Sequence, residues 1–143
     1  MEAKRHKKIP KDKRTAIENN LKEVLEKHPK ISFAYLHGSF IKDEGFGDID
    51  VAVYLKDIPP SPLDYELKLE TELMDAVGCY TVDVRVLNMS PLSFKYNVIK
   101  DGVLLIVRDD ELRAQFQETT LINYFDFAPY RNNYLKETLG VGV

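Results

Sequence analysis

Apolar residues along the chain follow two periodicities, and their succession predicts the order of helices and strands. Short apolar runs bounded by Gly, Pro or Asp predict four strands. These are Ile31 to His37, Asp48 to Leu55, Thr81 to Leu87 and Val103 to Val107. Helical spacing between the runs predicts helices that begin near Thr15, Pro62, Pro91 and Asp110. Strands that alternate with helices are typical of an α/β sheet.

Capping and breaking residues predict where several of these helices begin and end. Thr15 and Glu18 fit a capping box, so the first helix is expected to begin at Thr15 and to end before Pro29. The last long helix is expected to end near Asp126, because Pro129 follows and separates it from a short final helix. The helix after Pro62 has an apolar stripe formed by Leu63, Leu67, Leu73, Met74 and Val77.

Aspartates stand inside two of the predicted strands. Because successive strand side chains point to opposite faces, Asp48 and Asp50 share one face and leave Ile49 and Val51 for the core. Asp83 has the same setting in the third strand. Carboxylates that face one small volume repel one another, which favours either divalent cations between them or protonation of one acid. The alternative is that these acids simply mark strand ends at the surface.

A Gly38-Ser39 pair follows the first strand, eight loop residues before Asp48. Gly38 allows a tight turn and a close approach to a phosphate, and Ser39 offers an N–H and a hydroxyl to phosphate oxygens. Lys42 adds a positive charge nearby. Taken alone, the pair also fits an ordinary turn between a strand and a loop.

The Gly-Ser pair, the Asp-x-Asp pattern and the strand-borne Asp83 together resemble the nucleotidyltransferase superfamily that includes DNA polymerase β. Within it the chain looks most like the minimal nucleotidyltransferases, the MNT antitoxins that accompany HEPN toxins. The resemblance implies a small mixed β-sheet with helices packed on one side. It also implies catalytic, metal-binding residues Asp48, Asp50 and Asp83, and nucleotide-binding residues Gly38, Ser39 and Lys42.

The same resemblance implies a reaction and a partner. Two Mg²⁺ ions would assist the transfer of AMP from ATP to a tyrosine hydroxyl of a cognate HEPN-type RNase toxin. The protein would then be the antitoxin. The chain departs from many members of the family, because its loop is short and Lys42-Asp43 stands where Arg-Gly is expected. Two alternatives therefore stay open: a non-catalytic binding partner of a HEPN protein, and a nucleotidyltransferase that acts on a small-molecule hydroxyl.

Several side chains near these motifs leave two interpretations open. Arg85 either pairs with an acid or touches the acceptor, and His37 is either a satisfied, half-buried histidine or a catalytic one. The aromatic residues toward the C-terminus either cover the sheet or form a patch that docks a partner. They are Phe116, Tyr124, Phe125, Phe127, Tyr130 and Tyr134.

Length, composition and charge limit the possible domain organisation, binding partners and localisation. The 143 residues favour one domain, expected at 12–139 with a C-terminal helical extension from about 110, behind a flexible basic arm at 1–11. The net charge is −3, which argues against a general nucleic-acid-binding protein. The single Cys79, the lack of a long apolar stretch and the lack of a signal peptide favour a cytoplasmic protein without a membrane partner. A homo-oligomer is left open.

Overall fold

A computed structural model describes residues 10–42, 47–78 and 80–139, apart from the side chains of Ser39, Lys42 and residues 127–139. Residues 1–9 of the expected basic arm and Asp43 therefore lie outside the described residues, whereas Lys11, placed in the arm by the prediction, belongs to the first helix. The helices are α1 (Lys11–Glu26), α2 (Pro62–Val77), α3 (Leu92–Asp101) and α4 (Asp110–Leu139). The strands are β1 (Ile31–His37), β2 (Asp48–Leu55), β3 (Thr81–Val86) and β4 (Val103–Val107).

The four strands form one mixed sheet in the order β3-β2-β1-β4. β1 is antiparallel to both β2 and β4, whereas β2 and β3 are parallel. A parallel pair needs a crossover connection, and α2 supplies it. The predicted α/β class and the small mixed sheet are confirmed.

The sheet carries helices on both faces. On one face α1 and α2 cover a core that includes Ala34, Val51 and Val84. On the other face a second cluster that includes Phe33 and Phe116 lies under α3 and α4. The expectation that helices pack on one side is therefore wrong in that detail. The reason is that six consecutive residues of β1 are buried, so both faces of this central strand need cover.

Two helix boundaries also differ from the prediction. α1 begins at Lys11, directly after Pro10, so Thr15 lies inside the helix rather than at its cap. Nothing between Pro10 and Thr15 breaks a helix, and the helix extends back to the proline. α4 continues through Pro129 as a single helix, where the sequence predicted a break and a separate final helix.

The outer edge of β3 is closed by two side chains of α2. Glu70 Oε2 accepts a hydrogen bond from the Val84 N–H, and Glu66 Oε2 accepts one from the Val86 N–H, each at 2.9 Å. In the part of the chain that the structure describes, β3 is an edge strand of the sheet, so its outward donors have no partner strand there. The carboxylates satisfy these donors in place of another strand.

Candidate active site

Strand pairing brings the predicted aspartates together on one face of the sheet. Asp50 on β2 stands directly beside Asp83 on β3, and Asp48 stands beside Thr81. Paired residues on adjacent strands are about 5 Å apart at the backbone. The Thr81 hydroxyl donates a hydrogen bond to Asp48 Oδ1. Asp48, Asp50 and Asp83 therefore share a face, as the strand alternation predicts.

Asp50 is the carboxylate whose environment is the most unfavourable for charge. Burial, followed by the charges of Asp83 and Asp48, raises its pKa from 3.8 to about 6. The nearby Arg85 guanidinium acts in the opposite direction without cancelling these effects. Negative charge at this point is thus only partly compensated by the protein itself.

Gly38 places the turn after β1 directly against this carboxylate. Its φ is +83°, in the left-handed region that favours glycine. A Cβ at this position would overlap the Asp50 carboxylate. The glycine therefore serves two purposes, the sharp turn and the close contact with Asp50. Ser39 opens a short 3-10 turn, Ser39–Lys42, but the side chains of Ser39 and Lys42 lie outside the described part of the chain.

Arg85 and two rings form the rim of the acid cluster. Arg85 Nε lies 3.7 Å from Asp83 Oδ2, which confirms that Arg85 pairs with an acid. The Arg85 guanidinium also lies 5.9 Å from the centre of the Phe94 ring. The His37 ring packs edge-on against the same Phe94, with centroids 5.6 Å apart. Phe94 did not emerge from the sequence patterns, although the Ser90-Pro91 helix start places it in the first turn of α3.

His37 is half-buried, as one of the two interpretations expected, but it is not satisfied. Its Nε2 is buried and has no hydrogen-bond partner among the described residues. Burial lowers its pKa, and Asp83 opposes this effect. His37 on β1 is the register partner of Asp50 on β2, so the two residues stand side by side on adjacent strands. A neutral imidazole with an open nitrogen therefore stands at the edge of the acid cluster.

The residues fit a divalent cation by donor type and by charge. Carboxylate oxygens are preferred ligands of Mg²⁺, which binds through a few carboxylates and completes its shell with water and substrate phosphates. The raised pKa of Asp50 marks a point where added positive charge is favourable. In the described part of the chain, however, no three His, Cys, Asp or Glu side chains are grouped closely enough to hold a metal ion by themselves.

Comparison with protein families gives the decisive match. A family described as "Polymerase beta, Nucleotidyltransferase" matches residues 19–111, which is more than half of the 143 residues. The matched range includes Gly38 and all three aspartates. The chain belongs to the polymerase beta nucleotidyltransferase family. No curated protein matches the chain.

Solved structures share the nucleotidyltransferase fold with this chain. One is a tri-AMPylated HEPN toxin of Shewanella oneidensis in complex with MNT antitoxin, matched at 22% identity over 88% of this chain and 98% of that chain, with a TM-score of 0.69. A toxin–antitoxin structure with AMP-PNP matches at 22% identity over 85% and 98% of the chains, with a TM-score of 0.71. A toxin–antitoxin variant with two aspartates, two positions apart, changed to glutamate matches at 21% identity over 85% and 98%, with a TM-score of 0.71.

The aromatic residues of α4 divide between the two interpretations. Phe116 is buried under the sheet, whereas 56% of Phe125 is exposed. Tyr124 stacks on Tyr96 of α3 with ring centroids 3.8 Å apart. The remaining three aromatic side chains lie outside the described residues. No helix in the described ranges is both long and apolar enough to cross a membrane.

Proposed function

We propose that the protein is a Mg²⁺-dependent nucleotidyltransferase that transfers AMP from ATP to a tyrosine hydroxyl of a HEPN-type RNase toxin, and so acts as its antitoxin. The observation that carries the proposal is the pairing of Asp50 with Asp83 on adjacent strands. Asp50 is two residues from Asp48 on the same strand and lies directly against Gly38. Membership of the nucleotidyltransferase family supports the type of reaction.

Each group of residues has a role in the proposed transfer. Asp48, Asp50 and Asp83 would hold two Mg²⁺ ions, which supply charge neutralisation of the triphosphate and a lower pKa of the acceptor hydroxyl. Gly38 and Ser39 bring the backbone close to the phosphates, and Lys42 adds a positive charge to them. Asp83, on the outer strand, accepts the proton of the hydroxyl.

The bonds that form and break follow from a single displacement. The tyrosine oxygen forms a bond to the α-phosphorus of ATP as its proton passes to Asp83. The bond between the α-phosphorus and the oxygen that bridges to the β-phosphorus breaks. Pyrophosphate leaves with that electron pair, and the tyrosine becomes an AMP ester.

The structural neighbours support the choice of nucleotide and partner. One contains an AMPylated HEPN toxin bound to its MNT antitoxin, and another was solved with AMP-PNP. A third carries substitutions at two aspartates with the same spacing as Asp48 and Asp50. The present chain shares their fold over 85 to 88% of its length.

Labelling of the partner tests the proposal. The protein is incubated with α-labelled ATP, Mg²⁺ and the product of the neighbouring gene, which the proposal expects to be a HEPN-type protein, and the label on that product is measured. We expect labelling by the wild type and by Asp57→Asn, which removes an exposed carboxylate just after β2. The Asp48→Asn/Asp50→Asn variant should not label the partner. Equal labelling by this double variant would falsify the catalytic proposal.

A non-catalytic partner of a HEPN protein is the second candidate. It is favoured by the finding that no three metal-ligating side chains are grouped together within the described residues. Titration with ATP in the presence and absence of Mg²⁺ separates the two functions. Metal-dependent binding supports the enzyme. Equal neutralisation of the toxin by the wild type and by the double variant, with no metal-dependent ATP binding, supports the second candidate.

A further inference from the structure

A groove of about 570 Å³ runs along the outer edge of β3, next to the acid cluster. Asp83 and Arg85 line it on the side of the cluster. The first half of α2 lines the opposite side with Leu63 and Leu67, and Met89 closes the end beyond β3. The groove is therefore continuous with the candidate active site.

Apolar side chains in this groove remain in water. The exposed fractions are 62% for Leu63, 51% for Leu67 and 68% for Met89. Leu63 and Leu67 are four residues apart on α2, so they lie next to each other on one face of the helix. The helical stripe predicted from the sequence included both leucines. The structure buries Leu73 of that stripe together with Leu69, which the stripe did not include, and leaves Leu63 and Leu67 exposed. A contiguous apolar surface of this kind is typical of a binding site.

The closed edge of β3 determines how an occupant could bind. The outward N–H groups of Val84 and Val86 already donate to Glu70 and Glu66. A polypeptide that added a strand to this edge would find these donors taken. An occupant of the groove is therefore held through its side chains rather than through a backbone ladder.

The charge of the groove distinguishes between classes of acceptor. Within the described residues, its charged lining consists of three carboxylates, Glu66, Glu70 and Asp83, and one guanidinium, Arg85. Nucleic acids bind through Lys and Arg contacts to their phosphates, which an acidic groove does not offer. The exposed leucines and methionine match an apolar side chain. A polypeptide is the acceptor class that supplies both an apolar side chain and a hydroxyl.

We propose that this groove seats the acceptor protein, with an apolar side chain between Leu63, Leu67 and Met89 while its tyrosine hydroxyl reaches Asp83. The inference rests on the proposed function and specifies how its protein acceptor is recognised. The Val86 N–H donates to Glu66, which lies between Leu63 and Leu67 on α2, so the two leucines lie near Val86. Asp83 and Val86 are three residues apart on β3, or about 10 Å at the usual strand rise. The acceptor therefore carries its apolar anchor about that far from the tyrosine hydroxyl.

A binding measurement tests the groove independently of catalysis. The variant is Leu63→Gln/Leu67→Gln, because glutamine keeps the helix propensity and removes the apolar surface. The matched control is Ile122→Gln on α4, where the isoleucine is 53% exposed. Calorimetry measures the affinity of the wild type and of each variant for the product of the neighbouring gene, the expected HEPN-type partner, without nucleotide. Thermal unfolding of each variant verifies its fold.

We expect the Kd of the groove variant to rise by about tenfold or more, because two apolar contacts are lost. The Kd of Ile122→Gln should stay within about twofold of the wild type. An unchanged Kd in the groove variant, or a larger rise in Ile122→Gln, overturns the proposal. Absence of binding by the wild type also overturns it. Groove-dependent binding without labelling would refute the transfer reaction and support the docking site.

Discussion

Replacement of Asp50 by asparagine should stabilise the metal-free protein at neutral pH, although it removes a carboxylate from the candidate active site. Asp50 is half-buried, and burial together with the charges of Asp83 and Asp48 raises its pKa to about 6. The folded state therefore disfavours the ionised carboxylate. Asparagine has nearly the same shape without the charge, so the substitution relieves this unfavourable charge and leaves the packing against Gly38 intact.

The size of the effect follows from the pKa. The rise from 3.8 to about 6 corresponds to about 3 kcal/mol at 1.36 kcal/mol per pH unit. Asp50 is only partly buried, so solvent screens the interaction, and we expect about 1.5 kcal/mol. For a domain of this length such a gain raises the Tm by about 5 °C.

The pH dependence gives the prediction a sign that can be checked. Because the folded pKa is raised, the folded wild type binds more protons than the unfolded chain between about pH 4 and 6, and its stability falls as pH rises through this range. The advantage of Asp50→Asn should therefore be small near pH 4 and complete above pH 7. Urea unfolding at several pH values, with EDTA present, measures the difference.

The control is Glu118→Gln, which removes an exposed carboxylate from α4 and should change the free energy of unfolding by less than about 0.5 kcal/mol. A variant Asp50→Asn that is less stable than the wild type at pH 7.5 would contradict the reasoning. So would a difference that does not vary with pH. The first result would mean that the surroundings stabilise the ionised carboxylate. The second would mean that ionisation of Asp50 does not contribute to the difference in stability.

Three further predictions follow from the site and its support. Gly38→Ala should abolish transfer, because φ at this position is +83° and a Cβ would overlap the Asp50 carboxylate. The control is Gly78→Ala, where φ is +88° but the space around a Cβ is open. This control should lose about 1 to 2 kcal/mol of stability and keep its activity. Equal activity in the two variants would argue against the contact. Mg²⁺ at about 100 times its Kd should stabilise the wild type by about 2.7 kcal/mol in thermal unfolding, and EDTA should reverse this gain. The Asp48→Asn/Asp50→Asn variant should not respond, and an equal response would remove these ligands from the proposal. Glu70→Ala should cost about 2 kcal/mol in urea unfolding, since the Val84 N–H loses its charged acceptor, and a neutral effect would mean that water replaces the carboxylate.

The strands and the acid positions could be predicted because they depend on local pattern. The alternation around Asp48 and Asp50 defines both the strand and the face that the acids share, and the short run around Asp83 does the same. The contact between Asp50 and Asp83 depends instead on the pairing of β2 with β3, across α2. Only the resemblance to a known family, rather than the spacing of the residues, suggested that pairing.

Features that depend on contacts between distant parts of the chain could not be predicted from the local sequence pattern. Periodicity identified α2 but could not determine that Leu63 and Leu67 would be exposed. The spacing of apolar residues does not specify which other element of the fold, if any, packs against them. The cover of the second face by α3 and α4 has the same origin, since Phe33 and Phe116 are 83 positions apart. Phe94 reaches the site only because α3 crosses this face.

The position of β3 has a consequence for the order in which the protein opens. β3 is held by one neighbouring strand, and its docking is the step that brings Asp83 against Asp50. The repulsion within the acid cluster therefore acts on an edge strand and favours its local release, which amide hydrogen exchange measures. A cation that bridges β2 and β3 would hold the two strands together. The metal-free and metal-bound proteins should therefore differ most in the rate of amide hydrogen exchange along Thr81–Val86.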